Sequence, residues 1–384
     1  MNYKELDTKY IANTYKRQDV VIVEGTSSTA TDIDGKKYID FTSGIGVNSL
    51  GFSNEAWANA VSSQAHKMQH VSNLYYTTPC IELAEMLCKK TGFKKAFFAN
   101  SGAEANEGAI KVARKYSFEK YGEDRYKILT LQNSFHGRTI TTLKATGQDF
   151  FHNYFFPFTD GFEYAPANDI DASINALKQG GFCAVIVELV QGEGGVISLD
   201  KKFINSLFNY CKENDILFMV DEVQTGIGRT GTLLACEQFD ITPDVVTLAK
   251  GLGGGLPIGS FLLHETTENV LKYSDHGTTF GGNPVVCAGA KVVLESLDMQ
   301  DIAEKGEYFR KELAQIGSIE SVTGLGMMIG LKPKEKDVPT ILNECLEKGL
   351  IVLSAKDKVR LLPPLNISYD EINEGLAILK TVLG

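Results

Sequence analysis

The sequence has no long apolar run, since no stretch of its 384 residues approaches the ~20 consecutive apolar residues that a membrane-spanning helix needs. Residues 1–17 also lack the apolar centre of a secretory signal peptide. We therefore expect a soluble, cytoplasmic protein that has no membrane partner.

Positive charge is also scarce. The 38 lysines and arginines are outnumbered by 48 aspartates and glutamates, which gives a formal net charge of −10. A nucleic-acid-binding protein usually carries a basic patch, whereas the most charge-rich stretch here, residues 332–337, mixes both signs. We expect no nucleic-acid partner. Only seven residues are arginine, so each is a candidate ligand for a substrate anion.

Cysteine is infrequent and scattered, and no two of the seven cysteines form a C-x-x-C pair. An odd number without paired spacing argues against a disulfide framework and against a zinc site. We expect buried, reduced thiols and no metal centre.

The sequence does contain an alternation of short apolar runs with helical patterns such as 104–115 and 201–212. The runs are apolar on both faces, as strands of a covered parallel sheet are. They are Ala96–Ala99, Ile128–Leu131, Ala184–Val190, Ile216–Val220 and Val245–Ala249. This alternation predicts an α/β fold with a mainly parallel sheet.

The two ends of the chain have a different pattern. Residues 20–41 predict short strands around a turn at Asp32–Gly35. After about residue 290 the pattern is helix, strands, helix, and four apolar residues share one face of the last helix: Ile372, Leu376, Leu379 and Leu383. We predict a large domain at 46–289 and a smaller α+β domain formed by 1–45 and 290–384.

Polar residues follow each of the five central runs. In an open parallel sheet, ligands bind beyond the carboxyl ends of the strands. The polar segments are Asn100–Glu104, Asn133–Arg138, Glu188–Glu193, Asp221–Gln224 and Lys250–Gly255. Five such strand ends together predict a binding site at this edge of the sheet.

The segment Ser101-Gly102-Ala103-Glu104 has the S-x-x-E pattern of a capping box. By itself this pattern indicates only a good helix start. At a strand end it also suits a phosphate, because small residues let the anion approach the N–H groups of a helix N-terminus.

Lys250 and Asp221 directly follow buried strands. Lys250 could be an ordinary loop lysine, or a desolvated amine with a lowered pKa that forms a Schiff base. Asp221 could be a surface carboxylate, or the partner that keeps the ring nitrogen of pyridoxal phosphate protonated. Phe135 could stack on such a flat ring or pack in the core.

Six ordered motifs carry a family resemblance: SGAEANE, FHGRT, ELVQGEGG, DEVQTGIGRTG, LAKGLGGGLPIG and HGTTFGGNP. The sequence resembles the class III, pyridoxal-phosphate-dependent aminotransferases of fold type I, from about Tyr15 to its C-terminus. For the cofactor, the resemblance implies that Lys250 binds it covalently and moves the proton. Asp221 would pair with the ring nitrogen, Phe135 and Val223 would cover the two ring faces, and Gln224 would lie near the phenolic oxygen.

The resemblance also assigns the cofactor phosphate and the subunit partner. Ser101, Gly102 and Ala103 would hold the phosphate. Thr279 would reach the phosphate of a neighbouring subunit, while Thr278 would lie beside the substrate. These roles imply a homodimer with shared active sites.

For the substrates, the resemblance implies that a terminal amino group, that of N-acetylornithine, is transferred to 2-oxoglutarate in arginine biosynthesis. Arg138 would bind the distal carboxylate and Arg360 the carboxylate beside the reacting carbon. Glu193 would pair with Arg360 in one half-reaction and release it in the other. Arg229 is interpreted as structural.

Three alternatives remain. The donor could be another ω-amine, namely ornithine, 4-aminobutyrate or succinylornithine. The glycines of 251–255 could bind a dinucleotide, but no G-x-G-x-x-G opens a βαβ unit. The chain could also be an inactive homologue, against which the presence of both Lys250 and Asp221 argues.

Overall fold

The computed structural model describes residues 2–384. Its strands are β1 (Ile22–Thr26), β2 (Thr29–Asp32), β3 (Lys37–Asp40), β4 (Lys95–Ala99), β5 (Lys127–Leu131), β6 (Phe162–Ala165), β7 (Phe182–Val187), β8 (Val190–Gln191), β9 (Ile197–Ser198), β10 (Leu217–Asp221), β11 (Val245–Leu248), β12 (Gly259–Leu263), β13 (Ile319–Leu325), β14 (Met328–Pro333), β15 (Leu350–Ile351), β16 (Leu353–Ala355) and β17 (Lys358–Leu361).

The α-helical segments are α1 (Tyr3–Tyr10), α2 (Ser43–Gly46), α3 (Glu55–Lys67), α4 (Thr78–Thr91), α5 (Gly102–Tyr121), α6 (Ile140–Ala145), α7 (Ile170–Leu177), α8 (Lys201–Glu213), α9 (Pro284–Ser296), α10 (Met299–Ala314), α11 (Val338–Glu347) and α12 (Tyr369–Leu383). Short 3₁₀ helices cover Asp149–His152, Ala235–Phe239 and Lys250–Gly253. Within residues 2–384, no helix is long and apolar enough to cross a membrane.

A seven-stranded sheet with the order β4-β12-β11-β10-β7-β5-β6 forms the centre of the fold. Only β12 is antiparallel to its neighbours, β11 and β4. The prediction of an α/β fold with a mainly parallel sheet is therefore confirmed. The apolar runs did not single out β6 and β12. Strand β12 closely follows the glycine-rich bend 251–255, and a polar segment, 264–269, follows it at its carboxyl end.

The predicted strand Ala184–Val190 is wrong in its second half. Strand β7 ends at Val187, and Val190 belongs to a separate hairpin of β8 with β9. Between them, the carboxylate of Glu188 accepts hydrogen bonds from the backbone N–H groups of Phe135 and Gly192. Glu188 thus lies just beyond the end of β7, where two loops at the sheet edge hydrogen-bond its buried carboxylate.

Helices cover both faces of the large sheet and bury its apolar strands. Helix α5 packs on β11 and β12, and α8 packs on β10. In the closing helix α12, Ile372, Leu376 and Leu379 are buried as predicted, but Val382 takes the place expected for Leu383, which is only half-buried. All seven cysteines are free; Cys80 and Cys88 are half-buried rather than buried.

Two smaller sheets come from the ends of the chain. One has the order β1-β2-β3-β15, in which β15 pairs in parallel with β3, and the other has the order β13-β14-β17-β16. Leu350 thereby lies beside Ile39, so the N-terminal hairpin and the C-terminal segment share a sheet. The division into domains stays a prediction, and its limit at 289/290 falls inside α9.

Candidate active site

A cavity of 470 Å³ lies at the carboxyl ends of the central strands. The structure brings most of the predicted site residues together in its walls: Ser101, Gly102, Ala103, Phe135, Arg138, Glu193, Asp221, Val223, Gln224 and Lys250. Arg360 contacts this group through Glu193. Thr278 and Thr279 are not among the residues that line the cavity.

One wall of the cavity is the N-terminus of α5. Ser101 Oγ accepts a hydrogen bond from the N–H of Glu104 at 3.2 Å, as a capping box requires. The reciprocal bond differs from the prediction, because the Glu104 carboxylate accepts from the N–H of Asn100 at 2.5 Å and not from that of Ser101. Within the described chain, the N–H groups of Gly102 and Ala103 have no acceptor, so this helix end can bind an anion.

Residue 102 must be glycine because Val223, in the opposite wall of the cavity, lies very close to it. A Cβ atom on Gly102 would lie 2.6 Å from Cγ1 of Val223, which is too close for any side chain. The absence of a side chain thus lets the helix end and the segment after β10 meet around one cavity.

Asp221, at the end of β10, is only 3% exposed, yet its carboxylate is fully hydrogen-bonded. Its Oδ2 lies 2.8 Å from Nδ1 of His136 and accepts from Nδ2 of Asn106 at 2.7 Å, and its Oδ1 accepts from the N–H of Val223 at 3.0 Å. These three contacts fix the orientation of the Asp221 carboxylate in the wall of the cavity.

Sequence reasoning missed His136 and Asn106. Asn106 Oδ1 accepts from Thr247 Oγ1 at 2.7 Å, which fixes the direction of its amide. His136 Nε2 lies 3.1 Å from Thr130 Oγ1. Two features of the sequence could have indicated them. Asn106 is a polar residue between Ala105 and Ala109 on the buried face of α5, and His136 is the histidine of the motif FHGRT.

Lys250 follows β11 and begins a 3₁₀ turn with a φ of 38°. Positive φ is uncommon for a residue with a side chain, and such conformations concentrate at functional sites. Burial lowers the pKa of the Lys250 amine, an effect that the charge of Glu193 opposes and that of Arg360 reinforces. A lysine with a lowered pKa more readily supplies the neutral amine needed for Schiff-base chemistry.

Arg360 and Glu193 form an ion pair beside Lys250. Arg360 Nη1 lies 2.6 Å from Glu193 Oε1, and Nη1 also contacts Gln224 Oε1 at 3.4 Å. Burial opposes ionisation of Glu193, but the charge and hydrogen bond of Arg360 outweigh it and hold the pKa of Glu193 below its usual value. Arg360 is 3% exposed, and its Nε has no hydrogen-bond partner among the described residues.

Glu188 is a buried carboxyl group. The sequence placed it at a strand end near the site but assigned it no function. It accepts from the N–H of Phe135 at 2.8 Å and from the N–H of Gly192 at 3.3 Å. Burial raises the pKa of Glu188 to about 7. The side chain connects the loop that carries Phe135 with the loop that carries Glu193.

The remaining predicted residues lie at the edge of the site. The guanidinium of Arg138 lies 4.2 Å from the ring centroid of Phe151 and 5.7 Å from that of Phe135. Thr278 Oγ1 accepts from Asn100 Nδ2 at 3.1 Å, which places it next to the segment before α5. Thr279 is exposed at the surface of its own chain.

Arg229 does not face the cavity. It is 2% exposed and donates to the carbonyl oxygens of Met327 at 3.2 Å and Pro363 at 2.5 Å. Burial lowers its pKa to about 9, with Asp40 acting in the opposite direction. These contacts join the segment after β10 to the C-terminal part of the chain, as expected for a structural arginine.

Comparison with known proteins agrees with this geometry. The aminotransferase class-III family model matches residues 10–383. Acetylornithine aminotransferase of Haemophilus ducreyi is 52% identical over 99% of this chain and 98% of the relative. The chain therefore belongs to the class III aminotransferases, a family of pyridoxal-phosphate-dependent enzymes.

Solved structures give the same result for the fold. Ornithine aminotransferase from Toxoplasma gondii, which has partial occupancy of pyridoxal phosphate at its active site, matches with a TM-score of 0.94 and 30% identity over 99% of this chain and 93% of that one. N-acetylornithine aminotransferase from Stenotrophomonas maltophilia matches with a TM-score of 0.85 and 34% identity over 98% of this chain and 97% of that one.

Proposed function

We propose that this aminotransferase transfers the terminal amino group of N-acetylornithine to 2-oxoglutarate, giving N-acetylglutamate semialdehyde and glutamate, as a step of arginine biosynthesis. The observation that carries the proposal is the ion pair of Arg360 with Glu193 beside Lys250. A donor whose reacting end has no carboxylate needs this arginine neutralised, whereas 2-oxoglutarate needs it free. The names of the similar proteins above, which include acetylornithine aminotransferases, support the same donor class.

The residues of the cavity fit pyridoxal phosphate. The N–H groups of Gly102 and Ala103, which have no acceptor among residues 2–384, suit the phosphate together with Ser101, and Asp221 suits a protonated ring nitrogen. Phe135 and Val223 would lie on the two ring faces, Gln224 near the phenolic oxygen and Lys250 at the reactive carbon. When bound, the cofactor supplies an electron sink for the carbon that loses its proton.

Lys250 is the residue that moves this proton. Burial lowers the pKa of its amine, while the charges of Glu193, Asp221 and Glu188 act in the opposite direction. A base whose pKa lies near the working pH transfers protons most effectively, and such catalysis is typically worth ~10²–10⁴-fold in rate. The lowered pKa of Lys250 therefore suits it both to hold the cofactor and to act as the base.

Two arginines and Thr278 orient the substrates in the proposal. In the donor half-reaction Glu193 neutralises Arg360, so the uncharged reacting end of N-acetylornithine meets no unpaired cation. In the acceptor half-reaction Glu193 moves away and Arg360 binds the carboxylate beside the keto carbon. Arg138, at the mouth of the cavity, binds the distal carboxylate of either substrate, and Thr278 lies alongside.

We further propose that the enzyme is a cytoplasmic homodimer with shared sites, in which Thr279 reaches the cofactor phosphate of the partner. Asn73 Nδ2 donates to carbonyl oxygens of the loop 278–281, at 3.1 and 2.9 Å, and so joins this loop to its own segment. That segment exposes 88% of Leu74 and 97% of Tyr76. An apolar patch next to a cofactor-binding loop is what a dimer of this kind would cover.

The test is a panel of amine donors with 2-oxoglutarate as the acceptor. We expect kcat/KM to be highest for N-acetylornithine and lower for ornithine, succinylornithine and 4-aminobutyrate. Each donor is also mixed with the enzyme in a single turnover without keto acid, so that donor choice is separated from acceptor turnover. A higher kcat/KM for one of the other three donors would replace N-acetylornithine as the substrate.

A further inference from the structure

Arg138 has aromatic rather than acidic neighbours. Its side chain is exposed at the mouth of the cavity. Within residues 2–384 its guanidinium forms no ion pair and no hydrogen bond. Its contacts are with two rings, that of Phe151 at 4.2 Å and that of Phe135 at 5.7 Å. The nearer ring belongs to a residue outside the cavity walls and outside every motif that the sequence pointed to.

The ring of Phe151 packs against another ring of the site, and its segment is hydrogen-bonded to the preceding helix. It lies in the 3₁₀ helix Asp149–His152, whose last residue, His152, has Nε2 3.0 Å from the carbonyl oxygen of Leu143 and 2.8 Å from that of Thr146. The ring also packs edge-to-face on Phe135, with centroids 5.9 Å apart and planes at 72°. Phe151 is thus half-buried and packed against the ring of Phe135, in a segment that His152 joins to α6 and the residue after it.

We propose that Phe151 is a positioning residue that holds Arg138 ready for the distal carboxylate of the substrates. This inference rests on the proposed function, which gives Arg138 that carboxylate. A cation held over an aromatic face is attracted by the ring quadrupole, while the N–H groups at the edge of the guanidinium stay free to donate to a carboxylate. An aspartate or glutamate in place of Phe151 would instead compete with the substrate.

The inference predicts a different effect on the two half-reactions for the Arg138 site than for Arg360. N-acetylornithine and 2-oxoglutarate each carry a carboxylate far from the reacting carbon, so loss of Phe151 should affect both half-reactions. It should raise KM and leave kcat nearly unchanged, because the contact is made equally before and during the chemical step. From the usual strength of a cation–π contact at an exposed site, we expect KM to rise by ~2-fold to ~5-fold.

The experiment compares Phe151→Leu, which removes the ring, with Phe151→Tyr, which keeps it. The matched control is Phe150→Leu, because Phe150 is 81% exposed and packs on Phe151 without contacting Arg138. KM and kcat are measured for N-acetylornithine and for N-acetyl-1,4-diaminobutane, the same donor without its carboxylate. As a measurement independent of turnover, the rise in Tm caused by glutarate is recorded for each holoenzyme.

We expect Phe151→Leu to raise KM for N-acetylornithine, to leave KM for the decarboxylated donor unchanged and to reduce the glutarate-induced rise in Tm. Phe151→Tyr and Phe150→Leu should behave as wild type. In an Arg138→Ala background, Phe151→Leu should have no further effect. Equal effects of Phe151→Leu on both donors, or full effects in that background, would overturn the inference.

The Arg138→Ala single variant shows whether the role of Arg138 in the proposed function is wrong, or only the inference about Phe151. If it leaves KM for N-acetylornithine unchanged, the role of Arg138 in the proposed function is wrong, and the inference about Phe151 is overturned with it. If Arg138→Ala raises this KM while Phe151→Leu does not, only the inference about Phe151 is overturned.

Discussion

Arg360 Nη1 lies 2.6 Å from Glu193 Oε1, in an ion pair that is buried on the arginine side and one-third exposed on the glutamate side. A buried guanidinium without a partner is costly, so either this carboxylate or a substrate carboxylate must neutralise it. The greater exposure of Glu193 makes it the member of the pair that can move. On this geometry rests the proposal that the pair switches between two kinds of substrate.

The first prediction concerns this switch. Arg360→Ala should slow the 2-oxoglutarate half-reaction by ~30-fold or more and the N-acetylornithine half-reaction far less, because truncating one partner of a buried charge pair typically costs ~2–5 kcal/mol. Glu193→Ala should do the reverse and favour amines with a carboxylate beside the amino group, such as glutamate. The spectral change of the cofactor in single turnovers measures each half-reaction separately. Equal losses in both half-reactions for Arg360→Ala would refute the switch.

The second prediction concerns Asp221. Asp221→Asn should slow both half-reactions by about 10²–10³-fold, the range typical for loss of one preorganised electrostatic partner, with a smaller effect on donor binding. Asp244→Asn is a matched control, because Asp244 is a half-buried carboxylate just before β11, at the opposite end of the sheet, where it accepts from the N–H of Phe218. Unchanged half-reaction rates in Asp221→Asn would exclude the role.

The third prediction concerns pH and stability. Glu222 is 1% exposed and accepts from the N–H groups of Ala235 and Cys236, while burial raises its pKa from 4.5 to about 7. The folded protein therefore keeps a proton in this range that the unfolded chain has released. The stabilising contribution is fully present below about pH 4.5 and is lost as the pH rises through about 7.

Glu222→Gln should flatten the dependence of the free energy of unfolding on pH between these limits, by up to roughly 1.4 kcal/mol per pH unit. Urea unfolding of the holoenzyme at several pH values measures this slope. The variant should also be less stable overall, since glutamine has only one acceptor oxygen for two N–H groups. Glu237→Gln, on the exposed side of the same turn, is the control. A slope equal to that of the wild type in Glu222→Gln would contradict the assignment.

The fourth prediction concerns the shared site. Lys250→Ala and Thr279→Ala homodimers should each be impaired at limiting cofactor concentration. Mixed dimers of the two variants should regain activity, because one of their two sites combines the Lys250 of one subunit with the Thr279 of the other. If Thr279 acted within its own subunit, no intact site would form, and mixing would restore nothing.

Much of the candidate site could be predicted because its polar residues directly follow short apolar runs that are recognisable in the sequence. Lys250 and Asp221 each follow a short apolar run, and a parallel sheet brings such strand ends to one edge. The direction and extent of single strands were less predictable. Glu188 looks like part of an apolar strand, but it lies beyond the end of β7 and its carboxylate accepts from two loop N–H groups.

The partners that hold the proposed catalytic groups could not be predicted from local patterns. Asn106 meets Asp221 across 115 residues of sequence, and the fold alone creates this contact. Phe151 lies in a run of aromatic residues with no periodicity, so nothing in the sequence distinguishes it from Phe150. The pairing of Arg360 with Glu193 was implied by family resemblance, whereas its geometry comes only from the folded chain.

The most direct test of the account is to reduce the wild-type holoenzyme with borohydride and to map the attached cofactor by peptide mass spectrometry. We predict that the label is found on the peptide that contains Lys250, and that Lys250→Ala binds cofactor without becoming labelled. Label on another lysine, or labelling that persists in Lys250→Ala, would contradict the claim that this cavity is the catalytic site.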